Sequence, residues 1–452
     1  MKQKFDVMIV GKSYSLMTMC KASTMLSRLY VLSNYANPGI IRDADDYEIE
    51  DTTNPDKVAA YARRVKPDFA IIASEDPLAA GVVDALRKIG VPCIGPTQHL
   101  ARLESSKSFT RNLLAKYGIP GNPIYRRFQD DNGLSEFVHE LGDFVVKPDG
   151  LTGGKGVRVM GDHFTTIDKG LAYCQELFAQ GGSLVIEEKL DGEEFSLQSF
   201  FDGRHIAHMV PIQDHKRAYE DDTGPNTGGM GSYSCADHLL PFLRAEELKA
   251  AEDINRRVGE ALLEETGEEY KGILYGGFML TRGGLRVIEY NARFGDPEIM
   301  NIASLLDTDF IEICLAIING TLDRLPVQFR HQASVCKYIV PKGYPNKLPK
   351  GMDTRIDIQA ALTTPDYGNR LRVYYSAINE EDGAITLTDS RSLAFVGVAD
   401  TLAEAERIAE TAASAVKGNV FHRKDIGTPQ LIRKRIEHMQ RLFRMTSERK
   451  FA

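Results

Sequence analysis

The feature that most constrains the fold is a glycine-rich segment, VVKPDGLTGGKGV at residues 145–157, that is not followed by a helix. A Walker-type phosphate loop needs a lysine followed by Ser or Thr at the start of a helix. Here Gly156 follows Lys155, and the next residues, VRVM, are typical of a strand. The segment therefore predicts a hairpin flap between two strands. Its glycines free the backbone N–H groups to form an anion nest, with Lys155 as a mobile cation at the tip.

The loop alone does not decide between an anion site and a glycine-rich hairpin with surface lysines. Lys147 favours the anion site, because it lies on the strand that enters the loop, on the same face as Val145 by the two-residue period of a strand. A lysine that faces inward from an apolar strand needs an anionic partner. We therefore expect Lys147 to face a bound anion.

The segment RVIEYN, followed by ARFGDPE, adds a carboxylate to the predicted site. With a period of two, Ile288 and Tyr290 face one way, and Glu289 and Asn291 face the other. A carboxylate and an amide oxygen side by side are ligands that Mg²⁺ prefers, although taken alone the segment also reads as an ordinary half-exposed strand. Arg293 adds a planar guanidinium group, which can bind a carboxylate or phosphate through two parallel hydrogen bonds. Combined with the lysines, these residues predict a magnesium–polyphosphate site, with ATP as the anion under the flap.

The order of apolar runs predicts the fold class. Strand and helix patterns alternate over the first 100 or so residues (VMIV, LYVLS, FAIIAS, AAGVVDALRKIG), which indicates a parallel α/β sheet. The turn GKSYS at 11–15 has one glycine and gives no support for NAD or FAD. Residues 213–234 read as a long loop before a helix near 245–266, and the last part, from about residue 333, reads as an α+β unit.

Composition narrows the class of protein. A chain of 452 residues is too long for one ordinary core, so we expect about two to four packed units. A net charge of -8 argues against broad nucleic-acid binding. The six cysteines form no C-x-x-C pair, which suits reduced thiols in a cytosol, and no apolar run reaches membrane-spanning length. We expect a cytoplasmic protein.

These motifs resemble the ATP-grasp superfamily and, within it, the phosphoribosylamine–glycine ligases of purine synthesis. The resemblance runs from about residue 65 to 430, and its most specific parts are DHK, DTGPNTGGMG and EYNARFGDPE, in that order. It implies an α/β and α+β architecture of three domains. These are an N-terminal parallel α/β domain (1–103), an ATP-grasp domain (104–330) with a mobile lid subdomain at about 122–193, and a C-terminal α+β domain (331–452).

The resemblance implies an ATP-dependent carbon–nitrogen ligase. Glycine and 5-phosphoribosylamine would give glycinamide ribonucleotide, ADP and phosphate by way of a glycyl phosphate, which splits one difficult step into two easier ones. The implied cofactors are ATP and Mg²⁺ (or Mn²⁺). The expected partners are these small-molecule substrates, without nucleic acid or membrane, for a monomer or weak dimer.

The resemblance also assigns roles to residues. Lys107 and Lys147 contact phosphates, under a lid that contains Gly153, Gly154, Lys155 and Gly156. The adenine hinge, working largely through backbone groups, contains Glu187, Glu188 and Leu190, and Glu194 holds the ribose hydroxyls. Mg²⁺ is bound by Glu289 and Asn291. The acceptor side, with the catalytic candidates, contains Arg293, Lys216, Asp214 and the loop from Asn226 to Gly229. The strand GGFMLT offers no acidic ligand for a second metal ion.

The N-terminal motifs depart from the family. Its usual G-x-G-x-R-E-H-A is replaced by KSYSLMTM after VMIVG, and its usual G-P-E-A-P-L by ASEDPL at 73–78. Lys12, Ser13 and Ser15 can still serve a phosphate at a helix N-terminus. Two alternatives therefore stay open. One is a paralogous ligase that uses a different amine acceptor. The other is a nucleotide-binding protein without ligase activity, which the paired magnesium ligands disfavour.

Overall fold

The computed structural model describes residues 3–153, 156–363, 368–381 and 383–449. Its N-terminal part is a five-stranded, wholly parallel sheet in the order β3-β2-β1-β4-β5. The elements are β1 Phe5–Val10, α1 Tyr14–Ala22, β2 Leu26–Ser33, α2 Pro38–Asp43, β3 Asp46–Ile49, α3 Pro55–Val65, β4 Phe69–Ile72, α4 Glu75–Ala79, α5 Val82–Lys88 and β5 Cys93–Ile94. The continuous apolar runs of β1 and β4 are buried, as expected for strands covered on both faces. The predicted parallel α/β fold is confirmed.

The loops that follow β1 and β4 meet at one edge of this sheet. Gly11 has φ +123°, and a Cβ there would lie 3.0 Å from Cβ of Ala73. Glycine is therefore required, because a side chain would separate the two loops. The carboxyl ends of parallel strands are where ligands of such sheets bind. This edge brings the altered loop at 11–15 next to Glu75.

A second, four-stranded sheet carries the flap. It has the order β6-β9-β7-β8, and the segment comprises α6 Arg102–Ser105, α7 Lys107–Lys116, β6 Tyr125–Phe128, α8 Leu134–Leu141, β7 Phe144–Pro148, β8 Arg158–Val159, α9 Ile167–Ala179 and β9 Leu184–Glu188. Phe144, Val146 and Ile186 belong to a small hydrophobic cluster that is separate from the main core. A core of its own is what a distinct subdomain needs. We call this unit the lid sheet.

The central sheet is antiparallel, in the order β11-β10-β16-β17. The elements of this region are β10 Gly192–Asp202, β11 Ile206–His208, β12 Gln213–Asp214, β13 Arg217–Tyr219, β14 Thr223–Asn226, β15 Gly231–Ser234, α10 Ala245–Thr266, β16 Lys271–Thr281, β17 Gly284–Asn291, α11 Glu298–Leu305 and α12 Phe310–Asn319. The prediction of one long loop over 213–234 was wrong. This stretch forms four short strands: β13 and β14 pair with each other, and β12 pairs with β15. β15 in turn pairs with β18, about 100 residues later, which local patterns do not indicate.

The C-terminal part supplies most of an antiparallel sheet in the order β12-β15-β18-β23-β20. Its elements are β18 Ala333–Pro341, β19 Arg355–Ile356, α13 Gln359–Leu362, β20 Leu371–Tyr375, β21 Ile378–Glu381, β22 Ala384–Leu387, β23 Leu393–Ala399, α14 Leu402–Ser414, β24 Val420–Phe421 and α15 Pro429–Arg449. Since β12 and β15 precede residue 330, this sheet joins segments on both sides of the predicted domain limit. Within the described ranges, no helix combines the length and apolarity that a membrane span requires.

Candidate active site

A cleft of about 510 Å³ lies between the lid sheet and the central sheet. It continues into a smaller pocket beside α7, and the two share Lys147, Glu289 and Arg293. Together they are lined by these predicted site residues: Lys107, Lys147, Gly153, Glu187, Glu188, Leu190, Glu194, Asp214, Lys216, Asn226, Gly228, Glu289, Asn291 and Arg293. The structure therefore brings residues more than 180 positions apart into one cleft. Gly154 and Lys155 lie outside the described residues.

The flap is the predicted hairpin. β7 and β8 pair antiparallel, with Val145 opposite Val159. Gly153 has φ +55°, a conformation that favours glycine, and a Cβ on Gly156 would lie 2.9 Å from Cγ of Pro148. The Tyr173 hydroxyl on α9 donates to the Gly156 carbonyl at 2.8 Å. The glycines are thus needed by the loop itself, and α9 holds its far end.

Both predicted phosphate lysines project from rigid elements. Lys147 on β7 is only 8% exposed, and its Nζ lies 2.8 Å from Oε2 of Glu187. Nζ of Lys107, at the start of α7, donates to the Gly150 carbonyl at 2.7 Å. Burial lowers the pKa of each lysine below its ordinary value, and nearby carboxylates oppose that shift. Two cations that are partly stripped of water form a site that favours an incoming anion.

Glu289 and Asn291 lie together at the end of β17. Burial alone would raise the pKa of Glu289, but Lys216, Lys147 and Lys107 outweigh it, and the pKa is lowered. The carboxylate is thus ionised, and its side chain is 42% exposed to the cleft. Hydrogen bonding orients the Asn291 amide with Nδ2 3.1 Å from Oε1 of Glu104, so Oδ1 points away from that carboxylate. An ionised carboxylate beside an amide oxygen fits a divalent cation.

The prediction that the Ile288 side chain lies on the opposite face of the strand from Glu289 was wrong. Tyr290 is buried in the core as expected, but Ile288 lines the cleft beside Glu289. The cause is a bulge, since Gly277 of β16 pairs with Glu289 and Phe278 pairs with Val287, which leaves Ile288 without a partner. An extra residue on one strand breaks the two-residue alternation and turns the following side chains.

The two glutamate side chains of the predicted hinge bind other parts of the protein. Glu187 is 3% exposed and pairs with Arg111 and Lys147, whereas Glu188 accepts from the backbone N–H of Ile124 at 2.9 Å. Both glutamate side chains therefore have partners within the protein, and the contact of the hinge with adenine through backbone groups stays a prediction. The adjoining wall of the cleft is apolar, formed by Val145, Val159, Leu190, Met279 and Ile288. This slot suits a flat, largely apolar ring.

Glu194 and Lys216 form a bridge across the cleft. Nζ of Lys216 lies 3.3 Å from Oε2 of Glu194 and 3.9 Å from Oε1 of Glu289. Glu194 is the main cause that raises the pKa of Lys216 above its ordinary value, so the lysine is firmly charged. Glu194 remains 45% exposed on its side chain and can still accept hydrogen bonds from a ligand.

A second acidic pair, Asp214 and Glu298, lies on the other side of Lys216. Burial raises the pKa of Asp214 well above its ordinary value, and the charge of Glu298 adds to this shift, while Lys216 opposes it. Oε1 of Glu298 accepts from the Tyr275 hydroxyl at 2.8 Å. Sequence reasoning assigned no role to Glu298, although it is the last residue of ARFGDPE. Two carboxylates that repel each other form a pocket for a small cation.

Arg293 is held between two carboxylates. Its Nε lies 3.1 Å from Oε2 of Glu75, in the segment that follows β4, and its Nη2 lies 3.0 Å from Oε1 of Glu104. Burial, together with the charge of Glu75, raises the pKa of Glu104 to about 7, while Arg293 opposes the rise. Glu104 was missed by sequence reasoning, because nothing in its local pattern marks it.

Arg391 joins the C-terminal part to the site, and it too was missed. Its Nη1 donates to the carbonyls of Gly228 at 2.6 Å and Asp296 at 3.0 Å. Its guanidinium also lies over the ring of Tyr338, 4.5 Å from the centroid. One side chain therefore holds the loop that contains Gly228 against the turn that follows Arg293.

Comparison with known proteins identifies the family. Models of the phosphoribosylglycinamide synthetase N domain, ATP-grasp (A) domain and C domain match residues 5–104, 105–299 and 334–429. The chain is 46% identical over 432 residues to the phosphoribosylamine–glycine ligase of Methanosarcina barkeri, across 96% of this chain and 98% of that one. It is 49% identical to that of Methanoregula boonei, across 92% and 94%. Its fold is similar to the crystal structure of the Thermotoga maritima phosphoribosylamine–glycine ligase, with a TM-score of 0.76 and 26% identity over 93% of this chain and 99% of that one. The chain belongs to the phosphoribosylglycinamide synthetase family.

Proposed function

We propose that this chain is an ATP-dependent ligase that joins glycine to 5-phosphoribosylamine and releases glycinamide ribonucleotide, ADP and phosphate. The observation that carries the proposal is that Lys147, Glu289 and the Asp214–Glu298 pair line one cleft. This cleft combines a cation for phosphates, a metal ligand and an acidic pocket for an ammonium group. Membership of the family supports the reaction, and the side chains that line the cleft support the proposed positions of the phosphates, the metal ion and the ammonium group.

The nucleotide would lie between the two sheets. Its adenine fits the apolar slot beside the backbone of Glu188 and Leu190, and its ribose hydroxyls reach the exposed carboxylate of Glu194. Its phosphates would meet Lys147 and Lys107, with the flap containing Gly153 and Gly156 over them. The proposed closure excludes water, so that the activated phosphate is transferred to glycine rather than hydrolysed.

Glu289 and Asn291 would hold Mg²⁺ or Mn²⁺. Their donor set fits such an ion, since the carboxylate is ionised and the amide oxygen is turned away from Glu104. When bound, the ion offsets phosphate charge during transfer. The protein contributes the placement of these two ligands at the end of one strand, beside the two lysines.

The acidic pair would receive the glycine ammonium group. Asp214 and Glu298 repel each other in the free protein, and an ammonium group between them relieves that repulsion. A carboxylate oxygen of glycine then attacks the γ-phosphorus of ATP and ADP leaves, which gives glycyl phosphate. The amine nitrogen of phosphoribosylamine attacks the carbonyl carbon, phosphate leaves with the former carboxylate oxygen, and the nitrogen loses a proton. Lys216 and Arg293 lie where they can steady the negative oxygens of these steps.

The amine acceptor would enter from the N-terminal sheet. Ser13 caps α1 by accepting from the Leu16 N–H, and Ser15 is buried, so these hydroxyls mainly serve the helix. Lys12 is exposed and near Glu75, whose pKa it helps to lower. We therefore assign the acceptor phosphate to Lys12 and the backbone N–H groups at the start of α1. A different amine is not favoured, because the family's N-domain model spans the altered loop.

The test is an assay of ADP release with ATP, glycine and freshly generated 5-phosphoribosylamine, beside a panel of other amines. The expected result is release that requires both glycine and phosphoribosylamine, with glycinamide ribonucleotide found by mass spectrometry. Turnover with another amine only would show that phosphoribosylamine is not the acceptor. Nucleotide binding without any turnover would show that the chain is a nucleotide-binding protein and not a ligase. We further propose a cytoplasmic monomer or weak dimer that acts on these small molecules.

A further inference from the structure

Arg111, to which no role was assigned from the sequence, lies at the centre of a buried ionic network beside the cleft. It projects from α7 and is 2% exposed. Its Nε and Nη2 donate to the two carboxylate oxygens of Glu187 at 2.7 and 2.9 Å. Its Nη1 and Nη2 also donate to the carbonyls of Val287 at 3.0 Å and Ile288 at 2.7 Å. A single guanidinium thus joins α7, the lid sheet and the central sheet.

Lys147 shares both types of partner with Arg111. Its Nζ lies 2.8 Å from Oε2 of Glu187 and donates to the Ile288 carbonyl at 3.0 Å. Burial would raise the pKa of Glu187, yet Arg111 and Lys147 together outweigh it and the pKa is lowered. Glu187 is therefore an anion shared by two cations, with one net positive charge left over at the floor of the cleft.

The remaining positive charge lies on the side of the network that faces the cleft. Arg111 is 2% exposed and reaches only the smaller pocket beside α7, whereas Lys147 is 8% exposed and lines both that pocket and the larger cleft. A bidentate pair between a guanidinium and a carboxylate is the stronger of the two contacts and uses both oxygens of Glu187. Without Arg111, the Glu187 carboxylate would be neutralised by Lys147 alone, and the attraction for a phosphate would fall.

We propose that Arg111 is a positioning residue, which binds Glu187 so that Glu187 does not cancel the positive charge of Lys147 and Lys147 stays directed at the nucleotide phosphates. The inference rests on the proposed function, in which Lys147 binds phosphate. Arg111 also fixes the carbonyl of Ile288, the bulge residue directly before Glu289. The phosphate lysine and the proposed metal ligand therefore take their positions from the same side chain. A lysine cannot replace it, because the bidentate fork is lost.

The test compares the affinities for ATP and adenosine, measured by calorimetry on the full chain. Arg111→Met should weaken ATP binding at least tenfold and change adenosine binding less than twofold. The double variant Arg111→Met/Glu187→Gln restores one net positive charge, so it should recover at least threefold of the lost ATP affinity. A purely structural role predicts the opposite, since a second buried substitution would add to the damage.

Lys337→Met provides a matched control. Lys337 is fully buried and paired with Glu406 and Glu410 at 2.6 and 2.7 Å, and it is not among the residues that line the cleft or the smaller pocket. Its substitution should lower the melting temperature and leave the ratio of ATP to adenosine affinity unchanged. The same unchanged ratio in Arg111→Met would overturn the positioning role.

Lys147→Met separates failure of the inference from failure of the proposed function. If Lys147→Met weakens ATP binding and Arg111→Met does not, the phosphate lysine stands and the role of Arg111 is wrong. If neither variant affects ATP binding, the assignment of Lys147 to phosphate is itself wrong. A double variant that binds ATP no better than Arg111→Met would reject the charge argument.

Discussion

Nε of Arg293 lies 3.1 Å from Oε2 of Glu75, an ion pair between the turn after β17 and the segment after β4. The pair is partly shielded from solvent, with side-chain exposures of 20% and 29%. Burial would raise the pKa of Glu75, but Arg293, helped by Lys12, lowers it. The N-terminal domain therefore makes an ion pair with Arg293, the side chain that we place between the nucleotide and the amine acceptor.

Glu75→Gln should impair use of the acceptor more than use of ATP. Without the charge of Glu75, the Arg293 guanidinium should move toward Glu104, its remaining carboxylate partner at 3.0 Å. We expect kcat/KM for phosphoribosylamine to fall roughly tenfold, about 1.4 kcal/mol of transition-state stabilisation. The KM for ATP should change less than about twofold. Steady-state ADP release, with each substrate varied in turn, measures both values.

Glu50→Gln is the control for this substitution. It removes a carboxylate from the same domain, paired with Lys57 at 2.9 Å on the surface and away from the cleft. Its kinetics should match those of the unaltered chain, because exposed ion pairs contribute little. If Glu75→Gln behaved like Glu50→Gln, the ion pair with Arg293 would have no part in acceptor binding.

Glu289→Gln should affect metal use far more than stability. The amide keeps an oxygen for the metal ion but loses the charge, so the metal concentration for half-maximal turnover should rise at least ~10-fold. The side chain is 42% exposed, and little packing is lost with it. A titration of Mg²⁺ at saturating ATP, beside a thermal melt, makes the comparison. Glu269→Gln, which removes a surface partner of Arg204, is the control. An unchanged metal titration would place the metal ligands elsewhere.

The parts of the site that could be predicted from the sequence are those formed by residues that are neighbours in the chain. Glycine content and the two-residue period of a strand indicated the hairpin between β7 and β8, and both describe neighbouring residues. The same period indicated that Lys147 faces inward and that Glu289 and Asn291 share a face. Parallel α/β alternation was visible for a similar reason, because each element carries its own apolar repeat.

The parts that could not be predicted depend on pairings between distant segments. The bulge at Ile288 exists only in the register of β17 with β16, and no property of RVIEYN alone specifies it. Glu104 and Arg391 are single charged residues whose partners, Arg293 and the Gly228 carbonyl, are more than 160 positions away. A single charged residue in a polar stretch is predicted to be exposed to solvent, because the sequence does not show which distant residue is its partner.

Glu298→Gln should raise the KM for glycine. The substitution removes one of the two carboxylates proposed to hold the ammonium group, while the amide can still accept from the Tyr275 hydroxyl. We expect at least a tenfold increase in KM for glycine, roughly 1.4 kcal/mol, with little change in KM for ATP. Glu312→Gln, on the exposed face of α12, should leave both constants unchanged. If the dependence on glycine were the same in both variants, the ammonium pocket would lie elsewhere.

His215→Leu should make the free energy of unfolding less sensitive to acid. His215 is 1% exposed and packs against Tyr233, and burial, helped by the charges of Arg435 and Arg423, lowers its pKa from 6.5 to about 3. The unfolded chain therefore binds a proton that the folded chain refuses, and the free energy of unfolding falls as the pH drops from 6.5 toward 3. Between pH 7 and pH 5 this one group should account for on the order of 2 kcal/mol of the loss. Urea denaturation at both values should show a smaller difference for His215→Leu than for the unaltered chain. His139→Leu removes an exposed imidazole from α8 and controls for the loss of one histidine. An equal acid sensitivity in all three proteins would mean that His215 takes up its proton without unfolding.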